Sequence, residues 1–259
     1  MSWWGKAVGG TVGFMLGGPL GAILGTVAGH QLDQRKESAP RLEHAERMQT
    51  AFFTATFSVM GHLAKADGKV SRDEIRLAEQ VMERLDLAPN LREFARHLFS
   101  EGKRPGFPLE EVLGQLSQET RSRNLLRMFV EIQVYAAYAD GRVHIAERRI
   151  LEQLCRDLGF SAAELAQIET LVQAEVQHEF SGSDGHRTGS IDDAYALLGI
   201  ADDVDDAAVK RAYRRLMSQH HPDKLVSKGL PEEMMKLATA KAQEIKGAYE
   251  RIKSARGMR

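Results

Sequence analysis

The sequence predicts an all-α protein, built from an apolar N-terminal helix, a helical bundle with an internal repeat, and a C-terminal helical hairpin. Three observations carry that prediction. Apolar residues recur at helical spacing over long stretches, as in Met48, Phe52, Ala55, Val59 and Leu63, and again in Leu125, Phe129, Ile132, Ala136 and Ala139. No convincing period-2 alternation appears. An Asp-Gly motif recurs at a fixed offset in the middle of the chain, each time followed by a helical pattern.

Composition narrows the function before any motif is read. The chain has 259 residues, enough for two domains of usual size, and a formal net charge of −1. No global field argues for nucleic acid or for adsorption to a membrane surface. Residues 42–180 carry 17 Lys/Arg against 22 Asp/Glu, and residues 191–259 carry 13 against 11. Cys155 is the single cysteine, so neither an intramolecular disulfide nor a cysteine zinc cluster is available. With Leu151, Leu154 and Leu158 at helical spacing around it, Cys155 suits a buried, inert thiol. A chain without disulfides is compatible with a cytosolic body. No Gly-x-Ser-x-Gly, His-Glu-x-x-His or P-loop is present, so no enzyme is expected, and no cofactor.

From Ala7 to Gly29 run 23 residues without a charge, long enough to span a bilayer as a helix. Gly9, Gly13, Gly17, Gly21, Gly25 and Gly29 fall every fourth residue and form a side-chain-free groove that drifts slowly around the axis. In water each glycine costs a helix about 1 kcal/mol relative to alanine. Between membrane helices the same row lets backbones approach closely. The segment 7–29 therefore reads as a transmembrane helix that self-associates, and a homodimer is expected. Pro19 implies a kink, which membranes tolerate. A cleaved signal peptide or a glycine linker are the alternatives, but the start, Met1 to Lys6, is poor in cations and no clean cleavage site follows. Trp3 and Trp4 suit the membrane interface, while Arg35, Lys36, Arg41 and Arg47 flank the far side. That asymmetry predicts a short exported N-terminus, residues 1–6, and a C-terminal body in the cytoplasm. Residues 30–41 form a polar stalk.

Residues 42–178 read as successive helices. Ala66-Asp67-Gly68-Lys69-Val70-Ser71-x-x-Glu74 recurs as Ala139-Asp140-Gly141-Arg142-Val143-His144-x-x-Glu147, offset by 140 − 67 = 73 residues. Gly68 and Gly141 suit the left-handed conformation that ends a helix, and Ser71 with Glu74 has the spacing of a capping box. A pseudo-twofold bundle of about seven helices follows. Asp67, Glu74, Asp140 and Glu147 are hard oxygen donors, so a calcium or magnesium site is an alternative use for them. Capping accounts for the same residues, and neither repeat has an EF-hand loop. The paired turns resemble the tellurite-resistance B-like (TerB-like) helical domain. Residues 179–190 are rich in Gly and Ser and read as a flexible tether.

The C-terminal part, 191–259, holds the most specific signal. Val209, Ala212, Tyr213, Leu216 and His220 form one apolar stripe. Lys210, Arg211, Arg214 and Arg215 form a basic face, and Pro222 disfavours helix at the residue before it. His221, Pro222 and Asp223 therefore end the helix as a tripeptide, with Asp223 at a loop tip and Lys224 following. Ala194-Tyr195-Ala196-Leu197-Leu198-Gly199-Ile200 precedes this helix, and Ala242 to Tyr249 begins a further one. These segments together resemble the J domain of DnaJ-type co-chaperones. The resemblance implies that Lys210, Arg211, Arg214 and Arg215 dock on an acidic patch of a DnaK-type chaperone, and that His221-Pro222-Asp223 stimulates its ATPase. It also implies that His221 orients Asp223 or the loop backbone. Tyr195, Leu198, Tyr213, Leu216, Ile245 and Tyr249 are expected in the core. No Gly/Phe-rich segment and no zinc-finger repeats follow, so general capture of unfolded chains is not expected.

The order of anchor, TerB-like bundle and J domain is similar to that of membrane-anchored DnaJ-like proteins. That resemblance implies a regulatory co-chaperone in envelope-stress signalling, with capsule induction through a two-component phosphorelay. A membrane-tethered metal- or stress-sensing scaffold acting through the bundle is the second reading.

Overall fold

A computed structural model describes residues 18–23, 44–68, 72–138, 142–181, 190–231 and 234–258. Helices and the turns that join them make up these residues, with no strand among them. Seven helices form the middle bundle: α1 (His44–Ala64), α2 (Arg72–Arg84), α3 (Pro89–Gly102), α4 (Leu109–Thr120), α5 (Arg123–Ala137), α6 (Ile145–Asp157) and α7 (Ala162–Ser181). Four more make the C-terminal unit: α8 (Ile191–Leu198), α9 (Asp206–His220), α10 (Pro222–Val226) and α11 (Met235–Arg256).

The internal repeat is visible in the helix bounds. Helices α1 and α5 end at Ala64 and Ala137, α2 and α6 span Arg72–Arg84 and Ile145–Asp157, and α3 and α7 begin at Pro89 and Ala162. Each pair keeps the 73-residue offset of the Asp-Gly motif. Gly68 has φ +90°, as the helix-ending turn requires. Its counterpart Gly141 lies outside the described residues, as does Asp140.

Helix α1 is the axis of the bundle, packed against α3, α4 and α5. Every residue from Ala51 to Met60 is buried, including Thr54, Thr56 and Ser58. Burial of hydroxyls in a core needs partners, and the helix provides them: Thr56 Oγ1 donates to the Phe52 carbonyl at 2.8 Å and Ser58 Oγ to that of Thr54 at 2.7 Å. Phe52 meets Phe129 of α5 edge to face at 6.2 Å. The crossing of α1 with α3 is closer than side chains permit. A Cβ on Gly61 would stand 2.0 Å from the Phe99 carbonyl oxygen, and one on Gly102 1.8 Å from that of Ser58.

Of the predicted span 7–29, only residues 18–23 lie among those described. Gly9, Gly13, Gly17, Gly25 and Gly29 fall outside them. Residues 18–23 form a short helical segment entered through Gly18 (φ +64°) and Pro19, the position where the sequence places a kink. Leu20 and Ile23 are buried in the core of the bundle, and the Leu20 N–H donates to Gln115 Oε1 at 2.8 Å. An apolar segment has two covers from water, lipid or protein, and Leu20 and Ile23 have the second. No helix among the described residues is long and apolar enough to cross a membrane.

The C-terminal unit has its own small core. Tyr195, Leu198, Val209, Leu216, Ile245 and Ile252 pack together, while Tyr213 and Tyr249 stack at 4.2 Å on its edge. Gly199, with φ +63°, ends α8. Arg256 ties the unit shut: its guanidinium donates to the Tyr195 hydroxyl and to the carbonyls of Asp202 and Val204.

The C-terminal unit rests on the middle bundle. Leu225, Leu230, Met234 and Ala238 are buried in the core of the middle bundle, and Leu171 of α7 is buried in the core of the C-terminal unit. A further ion pair joins Lys236 to Asp86. Residues 182–189 of the expected tether lie outside the described residues.

Candidate chaperone-docking site

Helix α9 is built to present charge on one side. Its start is capped by Asp205, whose carboxylate accepts the Ala208 N–H at 2.6 Å. Val209, Ala212, Leu216 and His220 are buried, as the stripe predicts. Arg211, Arg214 and Arg215 are exposed on the other side, and Lys210 is half-buried. The basic face is not wholly without acids: Arg211 comes within 3.7 Å of Asp205 at the start of the same helix, both being well exposed. Such a surface pair contributes little and leaves the guanidinium available.

The helix stops at His220, and His221 takes an extended backbone (φ −63°, ψ 122°), the conformation favoured before proline. The expected loop tip is a helical turn instead. Pro222 opens the five-residue helix α10, so Asp223 stands in its first turn. Proline suits the first helical position because its missing N–H has no partner to lose there. Asp223 and Lys224 are exposed, with His221 and Pro222 half-buried. Lys224 Nζ donates to Ser218 Oγ at 3.1 Å, closing the corner. His221 Nδ1 is buried without a hydrogen-bond partner, so the ring is not seen orienting Asp223.

The end of α9 rests on α5. Asn124 Nδ2 donates to the Ser218 carbonyl at 3.1 Å, and His220 Nδ1 lies 3.5 Å from Glu131 Oε2. The other Glu131 oxygen accepts from Arg127 Nε at 3.0 Å. Asn124, Arg127 and Glu131 share one face of α5 by helical spacing. Sequence reading missed all three. Spacing marks them as a polar stripe on a mostly buried helix, but only the fold says what the stripe faces.

The acidic residues of the repeat do not converge. Glu147 is 4% exposed, and its carboxylate accepts the His144 N–H at 2.8 Å as a cap of α6. Asp67 is exposed. Asp140 and the side chain of Glu74 lie outside the described residues, so the predicted Ser71–Glu74 cap does too. Among the described residues no group of three or more His, Cys, Asp or Glu stands close enough to hold a metal ion. Cys155 is buried, and burial pushes its thiol up to about 12.

Three family models match the chain: the co-chaperone DjlA transmembrane domain over residues 1–45, the tellurite resistance protein TerB over 53–170, and the DnaJ domain over 193–256. Among curated relatives, the co-chaperone protein DjlA of Shewanella oneidensis is 46% identical over 100% of both chains. The protein of the same name from Photobacterium profundum is 41% identical over 99% of this chain and 100% of its own, and that of Escherichia coli 40% over 100% of both. No solved structure matches the chain. With these likenesses running from end to end, the chain belongs to the DjlA family of membrane-anchored co-chaperones, with a TerB bundle at its centre and a J domain at its C-terminal end.

Proposed function

We propose that this protein stimulates the ATPase of a DnaK-type chaperone through His221, Pro222 and Asp223, with Lys210, Arg211, Arg214, Arg215 and Lys224 steering and holding the partner. The observation that carries this is the exposed basic face of α9 ending at an exposed Asp223. Clustered cations raise the encounter rate with an acidic surface, and a carboxylate at the edge of that face pairs bidentately with a partner arginine. Pro222 fixes the backbone of the corner and lowers the entropy lost on docking. The protein acts by favouring one state of its partner rather than by chemistry of its own.

Single-turnover ATP hydrolysis by a DnaK-type chaperone, with the full-length chain added in detergent, tests this. Stimulation is expected for the wild type and is lost in His221→Gln, with helical content unchanged. A His221→Gln protein that stimulates normally sinks the reading.

The charge asymmetry around residues 7–29 supports an N-terminus in the periplasm and a cytoplasmic body, where DnaK-type chaperones of bacteria reside. The glycine row at 9, 13, 17, 21, 25 and 29 supports self-association in the membrane. Its place at the membrane suits a restricted set of envelope clients, with the capsule-inducing phosphorelay as the pathway that the family resemblance suggests. A metal-sensing scaffold has less support, since capping uses Glu147 and Asp67 is solvent-exposed.

A further inference from the structure

The tripeptide is bracketed by residues held on the middle bundle. Before it, Ser218 and His220 meet Asn124 and Glu131 of α5. After it, Leu225 is 1% exposed and buried in the bundle's core, followed by Leu230 and Met234. Behind Leu230, Gly229 (φ +96°) lies so close to α1 that a Cβ there would meet the end of the Met48 side chain. The outward side is left clear: Arg211, Arg214, Arg215, Asp223 and Lys224 are all exposed while the J domain is docked. Docking therefore does not hide the basic face.

The contact at Ser218 has a specific physical role. The last four carbonyls of a helix lack partners within it, and Ser218 is one of these in α9. Asn124 supplies the missing donor from another domain. His220 is 3% exposed in the same last turn, and Glu131 Oε2 lies 3.5 Å from its Nδ1. The end of α9, and with it the start of the tripeptide, takes its position from α5.

We propose that α5 of the TerB bundle is a working part of the chaperone-stimulating site, with Asn124 and Glu131 as positioning residues that hold the end of α9, and so His221-Pro222-Asp223, ready for docking. A corner held before the encounter loses less conformational freedom on binding. Weakening the hold raises the concentration of protein needed for stimulation. It leaves the rate at saturation unchanged, because the bound tripeptide then makes the same contacts. This inference rests on the function proposed above.

The test uses the full-length chain in detergent and measures chaperone ATPase stimulation across a concentration series. Asn124→Asp replaces the donor with an acceptor of nearly the same size facing the Ser218 carbonyl at a half-buried position. Glu131→Gln alters the second contact independently, and thermal melting checks both proteins. The half-stimulating concentration is expected to rise about fivefold in each, the scale of one lost hydrogen bond, with the saturating rate unchanged. Unchanged half-stimulating concentrations in both folded variants overturn the proposal, as does a fall in the saturating rate alone. His221→Gln runs alongside: if it abolishes stimulation while the α5 variants act as wild type, only the positioning role fails. If it stimulates normally, the function beneath it fails as well.

Discussion

Gly61 and Gly102 face each other where α1 crosses α3, each with the partner helix's backbone in the space of a missing Cβ. Here the neighbour is a carbonyl oxygen rather than a flexible side-chain end, so a methyl group forces the helices apart. Gly102→Ala is expected to destabilise the bundle by about 2 kcal/mol or more, read from denaturant midpoints at unchanged slope. An unaltered midpoint would show that the crossing relaxes freely. Nothing in the apolar periodicity marks these glycines, because the constraint comes from a residue about forty positions away along the chain. Cys155 is the opposite case. Its leucine neighbours at helical spacing announce a buried thiol, and the structure buries it. The J domain around His221 and Asp223 was also legible, since residue types and their order carry the signal.

At the scale of elements, α7 shows how one helix start joins two helices. Ser161 donates to Glu164 through its N–H at 2.9 Å and its hydroxyl at 3.0 Å, and Arg123 at the start of α5 reaches the other oxygen at 2.6 Å. The Ser161 backbone N–H, then Arg123, hold the Glu164 carboxyl down at about 2, from an ordinary 4.5. A lowered carboxylate pKa contributes stability that is full above its ordinary value and is lost as pH falls through the lowered one. Acidification from pH 5 towards pH 2 should therefore weaken the first turn of α7 in the wild type. In Glu164→Gln this contribution is already absent, so the stability gap between the two proteins is expected to narrow over that range. A gap that stays constant with pH would show that the carboxylate titrates normally. The Ser-x-x-Glu spacing is readable in sequence, but the arginine from α5 is not. Helix α10 teaches a similar lesson: Pro222 marks the end of α9 in the sequence, yet the same proline opens the next helix, so the expected loop tip became a helical turn.

Across the whole molecule, one assembly is seen, the J domain on the bundle, and one is proposed, one chain on another in the membrane. The second follows from the glycine row. Gly17→Leu with Gly21→Leu is expected to reduce crosslinked dimers in detergent, because bulky side chains fill the groove through which backbones would meet. Crosslinking at wild-type yield would remove the proposed dimer. Of this row only Gly21 falls among the described residues, in the short segment resting on the bundle through Leu20 and Ile23.

The sequence by itself determined the all-helical class, the repeat of 73 residues, the apolar stripe of α9 and the J domain that holds His221-Pro222-Asp223. These depend on residue type and on spacing within about a turn or two of helix, or on direct self-similarity, and both are written along the chain. The tertiary structure alone decided that Asn124 and Glu131 reach Ser218 and His220, that Lys236 meets Asp86, and that Leu225, Leu230 and Met234 leave the J domain's own core for that of the bundle. His220 fits the stripe of α9 by periodicity, yet a period gives the side of the helix that is buried and not the domain that buries it. Partners about 90 to 150 residues apart are chosen by how two surfaces fit, and local pattern carries no record of that fit.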